Sequence, residues 1–463
     1  MNLKKKKVLV VGLAKTGVSL CRFLTREGAR VTAVDVVEEE ALGPPAREAA
    51  SMGIALELGP HRTETFCACD LIVVSPGVAN NIKPIEAARS AGIPVIGELE
   101  LAARYINEPI AAVTGTNGKT TTTSLLGEML RQSGLNVFVG GNIGTPLIDY
   151  AGSPMTADIV VAEVSSFQLD TIQTFRPKVG VLLNVTEDHL DRYRHFREYV
   201  ASKARLFRNQ TSSDVAVLNR ADPVTARLES GLRAQKVYFN TTSKAQGDPL
   251  RRTLPATPFY GAEVRGNEMI CRLPNNVPVT FNLAHLKIKG AHNLENAAAA
   301  SLAALAAGGS RTGIQKALDT FRGLPHRLEH VRTINGVRYY NDSKATNVGA
   351  VMRALESFDT PVILIMGGRD KGGSYEGLCE LIKRLVKKLI TIGEASGKIT
   401  DALGGFTDSQ TAISLQQAVR LAGHAASPGD VVLLSPGCSS FDMFADYAER
   451  GEAFRQAVEG LRR

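Results

Sequence analysis

Tryptophan is missing from the 463 residues, and aromatic side chains make up only 6% of them. The basic residues are scattered, apart from Lys4 to Lys7, and are not interleaved with aromatics. That excludes the stacking surfaces by which many proteins grip nucleic acid. The formal charge of +8 therefore suits polyphosphate and carboxylate ligands, not nucleic acid. No apolar run approaches about 18 residues, so no membrane-spanning helix is expected. The opening MNLKKKKVLVVGLAK imitates a secretory leader. Its apolar part, Val8 to Ala14, is broken by Gly12 and ends at Lys15, so it reads as a first strand behind a solvated basic lead-in. Cysteine is sparse too. Cys21, Cys67, Cys69, Cys271, Cys379 and Cys438 form no C-x-x-C pair and no metal spacing, the pattern of reduced structural thiols in a cytoplasmic protein.

What is present is the composition of a globular protein, 44% hydrophobic and 22% charged, at a length that calls for about three domains. Short Val/Ile/Leu runs alternate with amphipathic stretches, which predicts α/β folding throughout. In residues 1–98 the expected parallel strands are Val8 to Val11, Arg30 to Val34, Asp70 to Ser75 and Pro94 to Ile96. Their first turn, Gly12 to Gly17, approaches the dinucleotide fingerprint, but Ala14 replaces the middle glycine that lets backbone touch a pyrophosphate. Ordinary NAD docking is thus disfavoured. Asp35, ending the second strand, is placed for a ribose or base of another nucleotide, and a plain strand–helix turn is the competing reading.

Residues 99–323 hold the strongest signal, PIAAVTGTNGKTTTT from Pro109 to Thr123. A buried strand, a glycine turn and a helix opening on Lys-Thr build a phosphate cradle. Backbone N–H groups around Gly115, Thr116, Asn117 and Gly118 face the anion, Lys119 reaches its β/γ-phosphates, and the Thr120 hydroxyl suits Mg²⁺. The usual first glycine is replaced by Val113, so the loop is a shorter variant, GTNGKT. Glu163 ends a strand from Asp158 to Val164, like the acid facing Mg²⁺ in phosphate-loop enzymes. Asp188, His189 and Asp191 follow the strand Val179 to Val185, at the edge where open parallel sheets bind ligands. Residues 214–289 are expected to form a small antiparallel addition. Asn293 and Asn296 share one face of a helix running to about Ala307, as ligand contacts or as N-caps. After the hinge-like GLPHRLE, residues 324–463 restart the alternation, with turns NDSKATN, GGRDKGG and SPGCSS closing three strands. The expected architecture is a Rossmann-like N-terminal domain, a central phosphate-loop ATPase-like parallel-sheet domain and a C-terminal Rossmann-like domain.

GTNGKT, EVSSFQL, NVTEDHLDRY, HNLEN, LPHRLE and NDSKATN, in that order, resemble the Mur ligases, three-domain ATP-dependent enzymes that add amino acids to the peptidoglycan precursor. GLAKTG, VVSPGV and SPGCSSFDMF are most similar to the branch that adds D-glutamate to UDP-N-acetylmuramoyl-L-alanine, and the DNPR motif of the diamino-acid branch is absent. The resemblance implies an acyl-phosphate mechanism in a bacterial cytoplasmic enzyme of cell-wall growth, working as a monomer. It implies two Mg²⁺ sites, the first on Thr120 and Glu163, the second on His189 and Lys203, the latter carbamylated. Taken alone, Lys203 reads as a helix-surface lysine. Around ATP the resemblance puts Gly115 to Thr121, Asn293, Asn296, Arg327 and Asp342. Around the UDP substrate it puts Leu13, Ala14, Lys15, Thr16, Asp35, Gly77, Asn142 and His189. Around D-glutamate it puts Lys344, Thr346, Lys371, Ser440 and Tyr447, the last where the family usually has phenylalanine. Lys119, His189, Lys203 and Arg327 would be catalytic. The alternatives are an L-alanine-adding relative, a folylpolyglutamate synthetase, or a nucleotide-binding switch without ligation chemistry. The domain ahead of the phosphate loop speaks against the folate enzyme.

Overall fold

The computed structural model describes residues 1–189, 192–239, 260–288, 290–370, 372 and 374–461. Three sheets follow one another along the chain. β1 (Lys7–Val11), β2 (Arg30–Asp35), β3 (Ala55–Leu58), β4 (Leu71–Val74) and β5 (Val95–Gly97) form the first. They are all parallel, in the order 3-2-1-4-5. β1 and β4 are buried along almost their whole length, which is why continuous Val/Leu runs form them.

The second sheet contains β6 (Ile110–Thr114), β7 (Val137–Gly141), β8 (Ile159–Glu163), β9 (Val179–Leu182), β10 (Val215–Asn219), β11 (Gln235–Phe239), β12 (Gly261–Arg265), β13 (Glu268–Arg272) and β14 (Val279–Asn282). Its order is 14-13-12-11-10-9-6-8-7. β10 pairs in parallel with β9, and β11 in parallel with β10, so they extend the main sheet instead of belonging to the expected antiparallel addition. The antiparallel part is β12 to β14 alone. The third sheet holds β15 (Glu329–Ile334), β16 (Val337–Asn341), β17 (Val362–Gly367), β18 (Val386–Ile392), β19 (Asp408–Thr411) and β20 (Val431–Leu434), ordered 15-16-20-17-18-19. Only its β15–β16 hairpin is antiparallel.

The packing between the sheets is unequal. One continuous apolar cluster includes Leu20, Phe23 and Leu24 of the first unit with Leu147, Ile148 and Phe175 of the second. Two buried carboxylates reinforce that joint. Glu98 accepts from the Ile148 N–H at 2.8 Å. Glu100 accepts from the N–H groups of Gln173, Thr174 and Phe175. The third unit keeps its own apolar clusters, and polar side chains bridge it to the second. An interface of that kind favours relative movement of the two units. Among the described residues no helix is long and apolar enough to cross a membrane. Cys21, Cys271 and Cys438 are buried, Cys67 is exposed, and none is disulfide-bonded.

Candidate active site

The phosphate loop lies where β6 passes into the helix Lys119–Gln132. Gly115 has φ +152° and Gly118, the helix N-cap, φ +86°, conformations that glycine reaches cheaply. A Cβ on Gly118 would meet Asn296 Oδ1 at 2.4 Å, so the loop and the helix Ala291–Ala306 touch backbone to side chain. Asn184 clamps the loop from β9's end: its Oδ1 accepts from Asn117 N at 2.9 Å and its Nδ2 donates to Asn117 O at 3.1 Å. Asn184 heads the NVTEDHLDRY motif, and nothing in its local sequence marks this role. Lys119 Nζ donates to the carbonyls of Gly115 (2.9 Å) and Thr116 (2.8 Å), so the lysine is already folded back over the loop. The Thr116 hydroxyl sits between Thr186 O (3.1 Å) and Tyr199 Oη (3.2 Å).

Lys203 is not a surface lysine. On the helix Phe196–Ala204 it lies one turn from Tyr199, both turned inward, and only 1% of it is exposed. Its Nζ donates to Gly115 O at 2.9 Å and stands 4.5 Å from the Tyr199 ring centre. Burial, helped by the nearby Lys119 charge, holds its pKa well below the usual lysine value. Glu163, last residue of β8, is also buried. Asn142 Nδ2 donates to its Oε1 at 2.8 Å, while Oε2 has no hydrogen-bond partner.

Across the seam, Arg327 Nη2 donates to Thr120 Oγ1 at 2.6 Å. Its flanking residues His326 (φ +62°) and Leu328 (φ +43°) are both left-handed, as is His189 (φ +58°). Such backbone is costly for non-glycine residues and concentrates at functional sites. Gly451 makes room for the first: a Cβ there would lie 2.2 Å from His326 Nδ1. Asp342 receives the Leu328 N–H and the Ser435 hydroxyl, yet burial lifts its pKa to about 7.

Two cavities flank the loop. The first, about 590 Å³, is lined by Asn117, Gly118, Thr121, Asn293, Asn296, Arg327, Asp342 and Lys344 among others, so most of the expected ATP residues converge. Asn293 and Asn296 are not N-caps, since Gly290 holds that position, and Asn296 Nδ2 donates to Asn293 Oδ1. His292 and Arg353 also border this cavity and went unnoticed in the sequence. Burial beside Arg353 and Arg327 depresses the His292 pKa to about 4, leaving a neutral ring. The second cavity, about 950 Å³, joins Asp188 and His189 to Thr346, Asn347, Asp370 and Tyr375.

The remaining expected residues are more dispersed. Lys344 Nζ stands 3.5 Å from the Tyr447 ring centre, near Arg327. Ser440 is buried and lines neither cavity. Lys371, like Asp191, lies outside the described residues. In the first unit, Ala14 is the N-cap of the helix Lys15–Arg26, followed by Thr16 in its first turn. Both Asp35 oxygens are taken by backbone, Oδ2 by Leu13 N (2.7 Å) and Oδ1 by Val37 N (3.0 Å), so the acid shapes its own loop. Lys15 Nζ donates to Gly144 O at 2.7 Å, which brings this turn to the Asn142 loop. Arg192 donates to the carbonyls of Gly77 (2.8 Å) and Val78 (2.9 Å), with its guanidinium over the Phe167 ring.

No three His, Cys, Asp or Glu side chains cluster as a metal cage among the described residues. The donors present suit Mg²⁺ held partly by a nucleotide: a hydroxyl at Thr120 and the unpartnered, buried Glu163 Oε2.

Known proteins resemble this arrangement along its whole length. Residues 6–97 match the Mur ligase MurD-like N-terminal domain, 113–304 the Mur ligase middle domain, and 326–438 the Mur ligase glutamate ligase domain. The UDP-N-acetylmuramoylalanine–D-glutamate ligase of Desulfatibacillum aliphaticivorans is 50% identical over 461 residues, covering 100% of both chains. Its counterpart in Geotalea uraniireducens is 49% identical, covering 100% of this chain and 99% of that one. Among solved structures, a pseudomurein peptide ligase type C from Methanothermus fervidus shares the fold with a TM-score of 0.62 at 20% identity, covering 99% of this chain and 100% of that one. The UDP-N-acetylmuramate–alanine ligase of Thermotoga maritima does so at 0.58 and 19%, covering 98% and 99%. The chain belongs to the Mur ligase family, in the branch of the UDP-N-acetylmuramoylalanine–D-glutamate ligases.

Proposed function

We propose that this chain is an ATP-dependent amide ligase that joins D-glutamate to UDP-N-acetylmuramoyl-L-alanine through an acyl phosphate, a step of peptidoglycan precursor synthesis. The observation that carries the proposal is the convergence of Lys119, Lys203, Glu163 and Arg327 on one phosphate loop at the seam between two units. A nucleotide switch has no need of a buried lysine there.

A carboxylate is a poor acyl donor, so it must first take the γ-phosphoryl group of ATP. Catalysis then rests on positioning and on neutralising charge. In this reading the loop N–H groups and Lys119 hold the β/γ-phosphates, and Arg327 moves from Thr120 onto the γ-phosphoryl group as it transfers. Asn293, Asn296 and Asp342 hold the adenosine. When bound, Mg²⁺ would offset the negative charge of the phosphates. Thr120 and Glu163 would hold a first ion, and His189 with a carbamylated Lys203 a second. The lowered pKa of Lys203 favours its neutral amine, whose attack on CO₂ would form an anionic carbamate and release one proton to solvent. The UDP part is read at Leu13 to Thr16, Asp35 and Gly77, with Asn142 toward the muramoyl group. D-Glutamate is read at Lys344, Thr346, Lys371, Ser440 and Tyr447, so that its amine can meet the acyl phosphate. The enzyme is read as a cytoplasmic monomer whose units correspond to residues 1–98, 99–323 and 324–463.

The test is ADP release across a panel of amino acids with UDP-linked acceptors. D-Glutamate with UDP-N-acetylmuramoyl-L-alanine should be the productive pair. Turnover instead with L-alanine on UDP-N-acetylmuramate, or ATP binding with no amide product, would refute the proposal.

A further inference from the structure

Asn347 stands at the wall between the two cavities and touches three separate elements. Its Oδ1 accepts from the Ala350 N–H at 2.8 Å, capping the helix Val348–Leu355. Its Nδ2 donates to Asp188 Oδ2 at 3.0 Å and to Asn117 Oδ1 at 3.4 Å. The polarity of this chain is forced. A backbone N–H can only donate, so the Asn347 oxygen faces the helix and its NH₂ faces the neighbouring unit. Asn117 must then present its own oxygen to Asn347. The Asn117 NH₂ is buried without a hydrogen-bond partner, 3.5 Å from where a Cβ on Gly349 would stand, on a residue that lines the nucleotide cavity.

A buried donor left unpaired is costly and calls for a partner. In a phosphate loop the partner that fits is an anionic oxygen. From this we infer that Asn347 is a positioning residue for phosphoryl transfer. By docking on Asn117 and Asp188 when the third unit closes, it fixes the Asn117 side-chain NH₂ toward the transferring phosphoryl group and orients the acid beside His189. The inference rests on the ATP reading of the loop. It makes the third unit a part of the phosphoryl site through a residue that itself touches no substrate.

Asn347→Asp tests it, because aspartate caps helices as well as asparagine but cannot donate. The expected result is a fall in kcat of ~10²-fold, the usual loss for one oriented donor, with Tm and the KM for D-glutamate near wild type. Asn347→Ser, which also caps but is too short to reach across, should show the same split without an added charge. In a cycle with Asn117→Ala the losses should fail to multiply, since both variants remove one interaction. A kcat within about twofold of wild type in Asn347→Asp and Asn347→Ser, or losses that multiply in the cycle, would overturn the inference. Failure of the wild-type chain to bind ATP would instead overturn the loop reading beneath it.

Discussion

The guanidinium of Arg327 and the hydroxyl of Thr120 meet at 2.6 Å although they belong to different units. Thr120 opens the helix behind the phosphate loop, and Arg327 sits between the left-handed residues His326 and Leu328, just past the Gly323–Pro325 hinge. An arginine so placed stands at the wall of the nucleotide cavity.

Arg327→Lys should therefore keep the charge and lose the planar, multi-donor head that spans two phosphate oxygens. We expect kcat to drop ~10²-fold with Tm little changed, read by steady-state ADP release and thermal melting. A variant as fast as wild type would remove Arg327 from the phosphoryl site.

Lys203→Ala should lose ~10²-fold or more in kcat and recover in part when a short carboxylic acid is added, since the acid can replace a carbamate. The wild-type protein labelled with ¹³CO₂ should show a carbamate carbon resonance that the variant lacks. No resonance, and no rescue, would contradict the carbamate.

Much of this was legible in the chain. β1, β4, β6, β8 and β9 are continuous apolar runs because parallel strands are buried on both faces. β19, reading DSQT, is a largely exposed edge strand and has no apolar signature at all. β10 and β11 are hidden by the Pro- and Asn-containing segments around them; their parallel sense comes from pairing, β10 with β9 and β11 with β10, not from local pattern. At the site, GTNGKT announces itself because backbone geometry demands those residue types. The burial of Lys203 does not, since its one-letter neighbours FREYVASKA describe a weakly amphipathic helix as readily as a buried one. Asn347 and Asn184 were equally silent, because their roles depend on partners distant in sequence.

Gly118→Ala should weaken ATP binding about tenfold or more while the protein still folds. The added Cβ would collide with Asn296 at the edge of the nucleotide cavity, and the left-handed backbone would add roughly 1–2 kcal/mol of strain. Fluorescence titration with an ATP analogue reads the change; an unaltered Kd would show that the loop and Asn296 do not act together on the nucleotide.

Glu98 gives a pH signature for stability. Burial raises its folded-state pKa from 4.5 to about 7. Between those values the folded state keeps a proton that the unfolded chain releases, so this contribution to stability is present below about pH 4.5 and is lost as pH rises through 7. At about 1.4 kcal/mol per pH unit the loss is at most about 3.5 kcal/mol. Glu98→Gln mimics the neutral acid and keeps an acceptor for Ile148. Its Tm relative to wild type should therefore climb between pH 5 and pH 8. A constant difference across that range would mean that Glu98 is ionised at little cost.

The central claim, that the seam between the second and third units activates a carboxylate by phosphorylating it, is met most directly by isotope transfer. UDP-N-acetylmuramoyl-L-alanine carrying ¹⁸O in its terminal carboxylate is turned over with ATP and D-glutamate, and the inorganic phosphate is analysed by mass spectrometry. One labelled oxygen per phosphate released is the predicted result. Unlabelled phosphate alongside amide product would contradict it.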